Sequence, residues 1–392
     1  MKQILILAPF NFNPANEGNK IRVKNLIIML KEHGFEIDYF YTNFSPQIKE
    51  KIPYISNFYQ LEKKKVSMKY FFSILSDKCR RFRIKIMSDL RGFNKIDDFY
   101  DSEIDKKLNE ILKNRNYSHV MIEYVFLSKV LENFDNKTKK IIDTHDVFSG
   151  RGKLFKKHGY IHTWFHTDLK NEAIGLNRAD IIISIQNIEE NFFKKITEKP
   201  VITIGHYIQL NNLKNKISKK SLKKSILFVG SSNQVNKTSM IYFINEVLPI
   251  LELNCNFEFD IKLVGSICYV IEDKNKKINK IGILDDLTEV YTSAEIVINP
   301  VLFGTGLKIK NIEALSNSKV LITTSIGAEG LENGINKAFL VADTPDDFAK
   351  CILTVLNDQR KKKELENNAY KFMQNYLRIN KKNFNIIFNN DY

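Results

Sequence analysis

Apolar residues in this chain fall into short blocks separated by longer stretches with helical spacing. Gln3–Ala8 is an apolar run of the length of one buried strand. Asn19–His33 carries Ile21, Val23, Leu26, Ile27 and Leu30 on a helical repeat, and Gly34 closes it. Phe35–Tyr41 predicts a second strand. Further strands are expected at His119–Glu123, Lys140–Asp143, Asp180–Ser184 and Val201–Ile204. Helices at Phe165–Asn177 and Ile188–Lys195 separate the last three of these. Strands joined by helical crossovers imply a parallel sheet covered on both faces.

The second half restarts the pattern. Ser225–Val229 predicts a strand ending in Gly230-Ser231-Ser232. A helix over Asn236–Leu251 places Ile241, Ile244, Leu248 and Leu251 on one face. A strand at Asp260–Gly265, a short helix at Asp285–Thr292 and a strand at Glu295–Asn299 follow. The Lys/Asn-rich stretch Asn211–Lys224 reads as a linker. The expected α/β fold is two doubly wound Rossmann-like domains facing across a cleft. The first covers 1–210, with a basic insertion at about 60–100. The second covers 225–370, and a C-terminal helix at 371–392 is expected to pack back toward the first. Ligands in such sheets bind at the carboxyl ends of the strands. The turns after the first strand, after Val229 and after Asn299 all lie at such ends.

The chemistry concentrates in Val297–Leu331, VINPVLFGTGLKIKNIEALSNSKVLITTSIGAEGL. This reads as strand, Gly-rich turn, helix, strand and second Gly turn. The unpaired amides at a helix start suit a phosphate. Lys308 and Lys310 in the first helical turns add mobile positive charge, and the Glu313 carboxylate suits vicinal hydroxyls. Phosphate and diol recognition together describe a nucleotide or nucleotide-sugar site. The spacing lacks the third glycine of the dinucleotide fingerprint and the Gly-Lys-Ser/Thr ending of a P-loop. A Gly-x-Gly turn before a helix is also a common purely structural feature of α/β proteins.

Bulk properties narrow the field. The 392 residues suffice for two domains with substantial cores, and 43% hydrophobic with 27% charged residues describes a globular chain. The net charge of +15 fits an anionic partner, and the richness in Lys, Asn and Ile also fits an AT-rich genome. Cys79, Cys255, Cys268 and Cys351 form no Cys-x-x-Cys or Cys/His cluster, so no metal site or disulfide is expected. A reducing, cytoplasmic compartment fits them. MKQILILAPF reads as a first strand and not as a signal peptide, and no transmembrane run occurs. Lys63–Lys85 is strongly basic, and Phe72, Leu75, Cys79, Phe82 and Ile86 recur in it at helical spacing. Residues 63–86 thus read either as a helix on the anionic inner face of the plasma membrane or as an ordinary surface helix. No nucleic-acid motif accompanies the charge, so no nucleic-acid partner is expected.

These residues resemble the family 4 glycosyltransferases, of the group 1 type, which are retaining enzymes of the GT-B fold. The match lies in ILFVGSS, EVLP (Glu246–Pro249), KLVG (Lys262–Gly265), Asn299-Pro300, FGTGLKIKNIEAL and the IGAEGL turn. In the first half it lies in Glu17-Gly18-Asn19 with Arg22, in DTHDVFS (Asp143–Ser149) and in ADIIIS (Ala179–Ser184). The resemblance implies an acceptor-side first domain and a donor-side second domain. Glu313 matches the second Glu of the family's Glu-x7-Glu motif, a ligand for ribose hydroxyls. The first Glu falls at Thr305, so Gly304-Thr305-Gly306 is expected to offer backbone amides instead. Lys308 resembles a diphosphate ligand, Lys237 a second basic ligand, and Gly18 the glycine that lets backbone approach the phosphates.

By the same resemblance, His145 would hydrogen-bond the donor sugar, and Asp146 would orient the acceptor or take its proton. Arg151 in the same loop suits an acidic or phosphorylated acceptor, and His206 is a minor candidate. The implied reaction moves a sugar from a UDP- or GDP-sugar to a glycan or lipid-linked acceptor, with retention, without metal or other cofactor, in surface-polysaccharide synthesis. Two alternatives stay open. One is a nucleotide-sugar epimerase or hydrolase of the same fold. The other is a catalytically silent scaffold subunit, which the missing carboxylate at Thr305 favours.

Overall fold

The structure is a computed structural model that describes residues 2–15, 17–46, 48, 52–62, 82–160, 164–210, 223–272 and 275–389. The chain forms two compact units, Met1–Gly205 and His206–Tyr392. The expected linker lies almost wholly outside the described residues, as does the basic stretch 63–81.

In the first unit, β1 (Gln3–Ala8) leads into α1 (Gly18–Glu32), then β2 (Glu36–Ser45) and β3 (Asn57–Glu62). A helix at 82–91, α2, and α3 (Ser102–Leu112) precede β4 (His119–Glu123) and β5 (Lys139–Asp143). Then come α4 (Arg151–Lys157), α5 (Leu169–Leu176), β6 (Ile181–Ser184), α6 (Asn187–Phe193) and β7 (Val201–Thr203). The seven strands form one sheet in the order β3-β2-β1-β4-β5-β6-β7, every pair parallel. Both faces are covered, so β4 and β6 are buried at every position and read as continuous apolar runs. The strand order reverses between β1 and β4, where Leu7 stands level with Ile122. Their carboxyl ends therefore open on one side at the point where such sheets bind ligands.

The second unit repeats the plan. β8 (Lys224–Val229) enters α7 (Gln234–Tyr242), which continues through one π turn into α8 (Leu248–Asn254). Pro249 lies in the first turn of α8, and its missing N–H accounts for the change in helical pitch. β9 (Phe259–Val264), β10 (Ile278–Gly282), α9 (Thr288–Ser293) and β11 (Ile296–Asn299) follow. α10 (Ile309–Ser316), β12 (Val320–Thr323), β13 (Leu340–Val341), α11 (Pro345–Asn357) and α12 (Gln359–Phe388) complete it. The six parallel strands run β10-β9-β8-β11-β12-β13, and the order reverses between β8 and β11. A side chain on Gly265 would meet the Gly230 carbonyl at 2.3 Å, so glycine lets the ends of β8 and β9 close together.

Two expectations change in detail. The first unit ends at Gly205, ahead of 210. The helix expected over 371–392 is the later part of α12, which starts where the Asp358 side chain accepts the backbone N–H groups of Arg360 and Lys361 at 2.9 Å. The described end of the basic insertion, α2, does not sink its apolar stripe into the core. Phe82 is 67% exposed and Leu90 78%, with Ile86 and Met87 also open.

Candidate active site

In the second unit the site grows from the loop between β11 and α10. Asn311, fully buried, accepts a hydrogen bond from Asn299 Nδ2 and donates one to the Gly327 carbonyl, both 2.8 Å. That side chain ties the end of β11 to the second Gly turn. Between them Gly304 (φ 129) and Gly306 (φ 77) adopt left-handed backbone that other residues resist. Thr305 stands between the two glycines. Its Oγ1 is buried and has no hydrogen-bond partner among the described residues.

The helix itself starts later than expected. α10 begins at Ile309 with Lys308 as its cap, so Gly306 lies in the loop and contributes no helical amide. Lys308 Nζ donates to the Gly306 carbonyl at 2.6 Å and lies 3.4 Å from Glu329 of the second Gly turn. Lys310 is not a mobile cation. Its Nζ donates to Asn236 Oδ1 at 2.6 Å and sits 4.3 Å from the Phe228 ring centroid. Burial lowers its pKa to about 7, against the attraction of Glu313. Glu313 accepts the Tyr291 hydroxyl at 3.2 Å through Oε2, and Oε1 has no partner among the described residues. Burial raises the carboxyl to about 7, although Tyr291 and Lys310 pull it down. Lys237 lies half-buried in the first turn of α7, beside Asn236. The starts of α7 and α10 thus meet at the switch point through Asn236 and Lys310.

In the first unit, Gly18 opens α1 just past the end of β1. One turn on, buried Arg22 donates to both oxygens of Asp143 at 2.8 and 2.7 Å, and to the carbonyls of Ile204 and Gly205 at 3.0 and 3.1 Å. Asp143 ends β5, and Glu123, fully buried, ends β4. His145 follows Asp143 at a φ of 60, an uncommon conformation for a non-glycine residue. Its Nε2 hydrogen-bonds Glu123 Oε2 and lies 3.6 Å from Asp143, while Nδ1 has no partner among the described residues. Tyr124 tilts against the imidazole at 4.4 Å.

Burial, then the Asp143 charge, raises the Glu123 carboxyl to about 7, opposed by His145 and Arg22. Burial also works against the charge of Asp143, yet Arg22 and then His145 hold it below the usual carboxylate range. Glu172 of α5 shapes the loop by accepting the N–H groups of Phe148 and Ser149, each at 2.9 Å. Asp146 pairs with Arg151. Glu189 of α6 is buried nearby, its carboxyl raised to about 8 by burial and then by Asp146.

Glu123, Asp143 and His145 also hold their donor atoms within 4.8 Å of one another, the composition of a metal site. Arg22 takes both Asp143 oxygens and Glu123 Oε2 takes His145 Nε2, so the four side chains form an ion-pair network in which Glu123 Oε1 is buried without a partner among the described residues. His206 is buried at the start of the second unit, where its N–H donates to the Tyr376 hydroxyl of α12 at 2.8 Å.

Gly18, His145 and Asp146 therefore belong to the first unit, and Lys237, Gly304, Thr305, Gly306, Lys308 and Glu313 to the second. Sequence reasoning missed Glu123 as the partner of His145, and Tyr291 and Asn236 as the partners of Glu313 and Lys310. A signal for Glu123 was present: a carboxylate closes the otherwise apolar run HVMIE.

Residues 223–358 match the family model described as Glycosyl transferases group 1. Over its whole length the chain is 24% identical to an uncharacterized 44.6 kDa protein in the cps region of Klebsiella pneumoniae, covering 99% of each. The structure is similar to sucrose-phosphate synthase from Thermosynechococcus elongatus, with a TM-score of 0.68, 15% identity and 98% of each chain covered. It is also similar to a mutant form of TarM from S. aureus in complex with UDP, with a TM-score of 0.66, 10% identity and all of both chains covered. HepE from Anabaena, in complex with UDP and glucose, aligns with a TM-score of 0.60, 11% identity and 98% of each chain covered. Two parallel α/β sheets of seven and six strands with these neighbours define the GT-B fold. The family match falls within the second unit, and the solved neighbours share the fold of the whole chain.

Proposed function

We propose that this protein transfers a hexosyl group from a UDP- or GDP-sugar to an acceptor hydroxyl, with retention and without a metal ion. The observation that carries the reading is the second-unit constellation of Glu313, Lys308 and the Gly304–Gly306 turn at the strand-order reversal, inside the residues that match the family model. One Glu313 oxygen is open to a ribose hydroxyl, and Lys308 lies against the glycine turn. Loss of the diphosphate builds negative charge on the leaving group. Lys308 and the first amides of α10 are the groups suited to stabilise it. Charge stabilisation by fixed donors of this kind takes the place that a divalent ion holds in other transferases.

In the first unit, an ionised Glu123 accepts Nε2–H of His145 and leaves Nδ1 as an acceptor for a sugar hydroxyl. Asp146 orients the acceptor. The relative in a cps region, and the UDP in the TarM and HepE complexes, favour a nucleotide-sugar donor and a product in a surface polysaccharide. The exposed apolar side chains of α2, flanked by Arg83, Lys85 and Arg91, favour docking on an anionic membrane surface, where a lipid-linked acceptor would be met.

A panel of UDP- and GDP-sugars, read by thermal stabilisation and donor hydrolysis, tests the assignment. One donor is expected to stabilise the protein, and Glu313→Ala and Lys308→Ala each to weaken its binding about tenfold or more. Full binding and turnover in both variants would sink the site assignment. The second reading, a silent scaffold, draws on Thr305 standing where the family carries a carboxylate. Calorimetry separates the two, because a pure scaffold binds neither UDP nor GDP.

A further inference from the structure

Beside His145 lies an aromatic cluster that the donor chemistry leaves unused. Trp164 is 40% exposed although it packs on three rings. Tyr124, Phe126 and Phe148 meet it nearly edge-on, with centroids at 5.3, 5.8 and 5.5 Å. Tyr124 is also the ring that touches His145, so a single aromatic side chain separates the indole from the imidazole. The Arg151 guanidinium lies 5.6 Å from the Trp164 centroid, 5.6 Å from Phe148 and 5.9 Å from Phe155. It is paired with Asp146, and its Nε is a buried donor with no partner among the described residues.

These features select a ligand class. An indole held rigidly by packing offers a flat apolar surface at low entropic cost. The C–H face of a pyranose matches it. A guanidinium and carboxylate paired beside it offer donors and an acceptor for paired hydroxyls. The pair is internally neutral, so Arg151 has little charge to spend on a phosphate or uronate.

We propose that Trp164 with the Asp146–Arg151 pair is the acceptor platform, and that the acceptor presents an uncharged sugar there. The proposal rests on the glycosyltransferase reading and names the substrate class of its acceptor side. It replaces the acidic or phosphorylated acceptor that Arg151 suggests when the sequence is read alone.

Trp164 is the sole tryptophan of the chain, so its emission reports on this site alone. The full-length protein is titrated with methyl glucoside, methyl galactoside, methyl N-acetylglucosaminide and methyl rhamnoside, and with methyl glucuronide and glucose 1-phosphate as charged probes. At least one neutral glycoside is expected to give a saturable change in emission that neither charged probe gives. Saturation-transfer NMR then compares that glycoside on Trp164→Ala and Trp164→Phe. The Ala variant is expected to bind roughly tenfold more weakly, with partial recovery in the Phe variant. No saturable response to any neutral glycoside, or a response to the charged probes alone, overturns the platform. So does undiminished binding by Trp164→Ala. UDP calorimetry on the wild-type sample distinguishes the two levels of failure. UDP binding without a glycoside response overturns the platform and leaves the donor site standing, whereas glycoside binding without UDP or GDP binding does the reverse.

Discussion

Glu313 and Glu123 are carboxylates placed at strand-order reversals and raised to about 7, yet their surroundings give them different tasks. Glu313 keeps one oxygen open and would accept ribose hydroxyls as a carboxylate. Its folded pKa lies above the ordinary value, so it carries a proton through the acid range and ionises as pH rises through about 7. Nucleotide affinity should therefore fall as pH drops below about 7, approaching roughly tenfold per pH unit. Isothermal titration with UDP or GDP across that range reads the slope. Glu313→Gln should flatten it, and an unchanged slope in the variant would place the titrating group elsewhere. Glu123 is enclosed and hydrogen-bonds His145. Glu123→Gln keeps the shape but removes the charge that fixes the imidazole tautomer. Turnover should drop by about 10- to 100-fold while nucleotide affinity holds. Calorimetry beside steady-state rates makes that distinction, and a parallel loss of both would indicate simple misfolding.

At the scale of elements, the strands and crossover helices were legible because parallel strands covered on both faces must be unbroken apolar runs. HVMIE and IIIS are buried at every position. β10 escaped notice because it is an edge strand with the mixed sequence INKIG, largely open to solvent. α3 was missed too, although Ile104, Leu108 and Ile111 mark a buried stripe and Asp101 caps it. The Gly-Thr-Gly turn was legible because the left-handed backbone at Gly304 and Gly306 calls for glycine. The start of α10 was not, because three residues of loop after Gly306 cost nothing in the apolar pattern. Pairings such as Glu123 with His145 join different strands and leave no mark in local spacing. The close approach of β8 and β9 is another such pairing, and it carries a prediction. Gly265→Ala drives a methyl into the Gly230 carbonyl from a backbone that already disfavours alanine. The variant should lose about 1–3 kcal/mol of stability. Denaturant titration measures it, and a loss below about 0.5 kcal/mol would mean that the two strand ends stand further apart.

For the molecule as a whole, the question is what a net charge of +15 does when the proposed acceptor site is built on an internally neutral ion pair. The excess has to act elsewhere on the surface, and α2 joins cations to apolar side chains that the fold leaves exposed. Charge alone attracts the protein to any anionic surface and is screened over about 8 Å at physiological salt. Apolar insertion is short-ranged and survives salt. The two contributions can therefore be separated in one flotation experiment with full-length protein. Vesicles rich in phosphatidylglycerol should carry the protein at low salt, and purely phosphatidylcholine vesicles should not. A Phe82→Ser/Leu90→Ser double variant keeps the net charge and removes only exposed surface, so its fold should be unaffected. At low salt it should still float, drawn by charge. At physiological salt the wild type should retain most of its binding and the variant should lose it, because each large apolar side chain contributes on the order of 1.5–3 kcal/mol when fully buried. Equal behaviour of the two proteins at physiological salt would show that the exposed stripe does not enter the bilayer, and that the attraction is electrostatic alone.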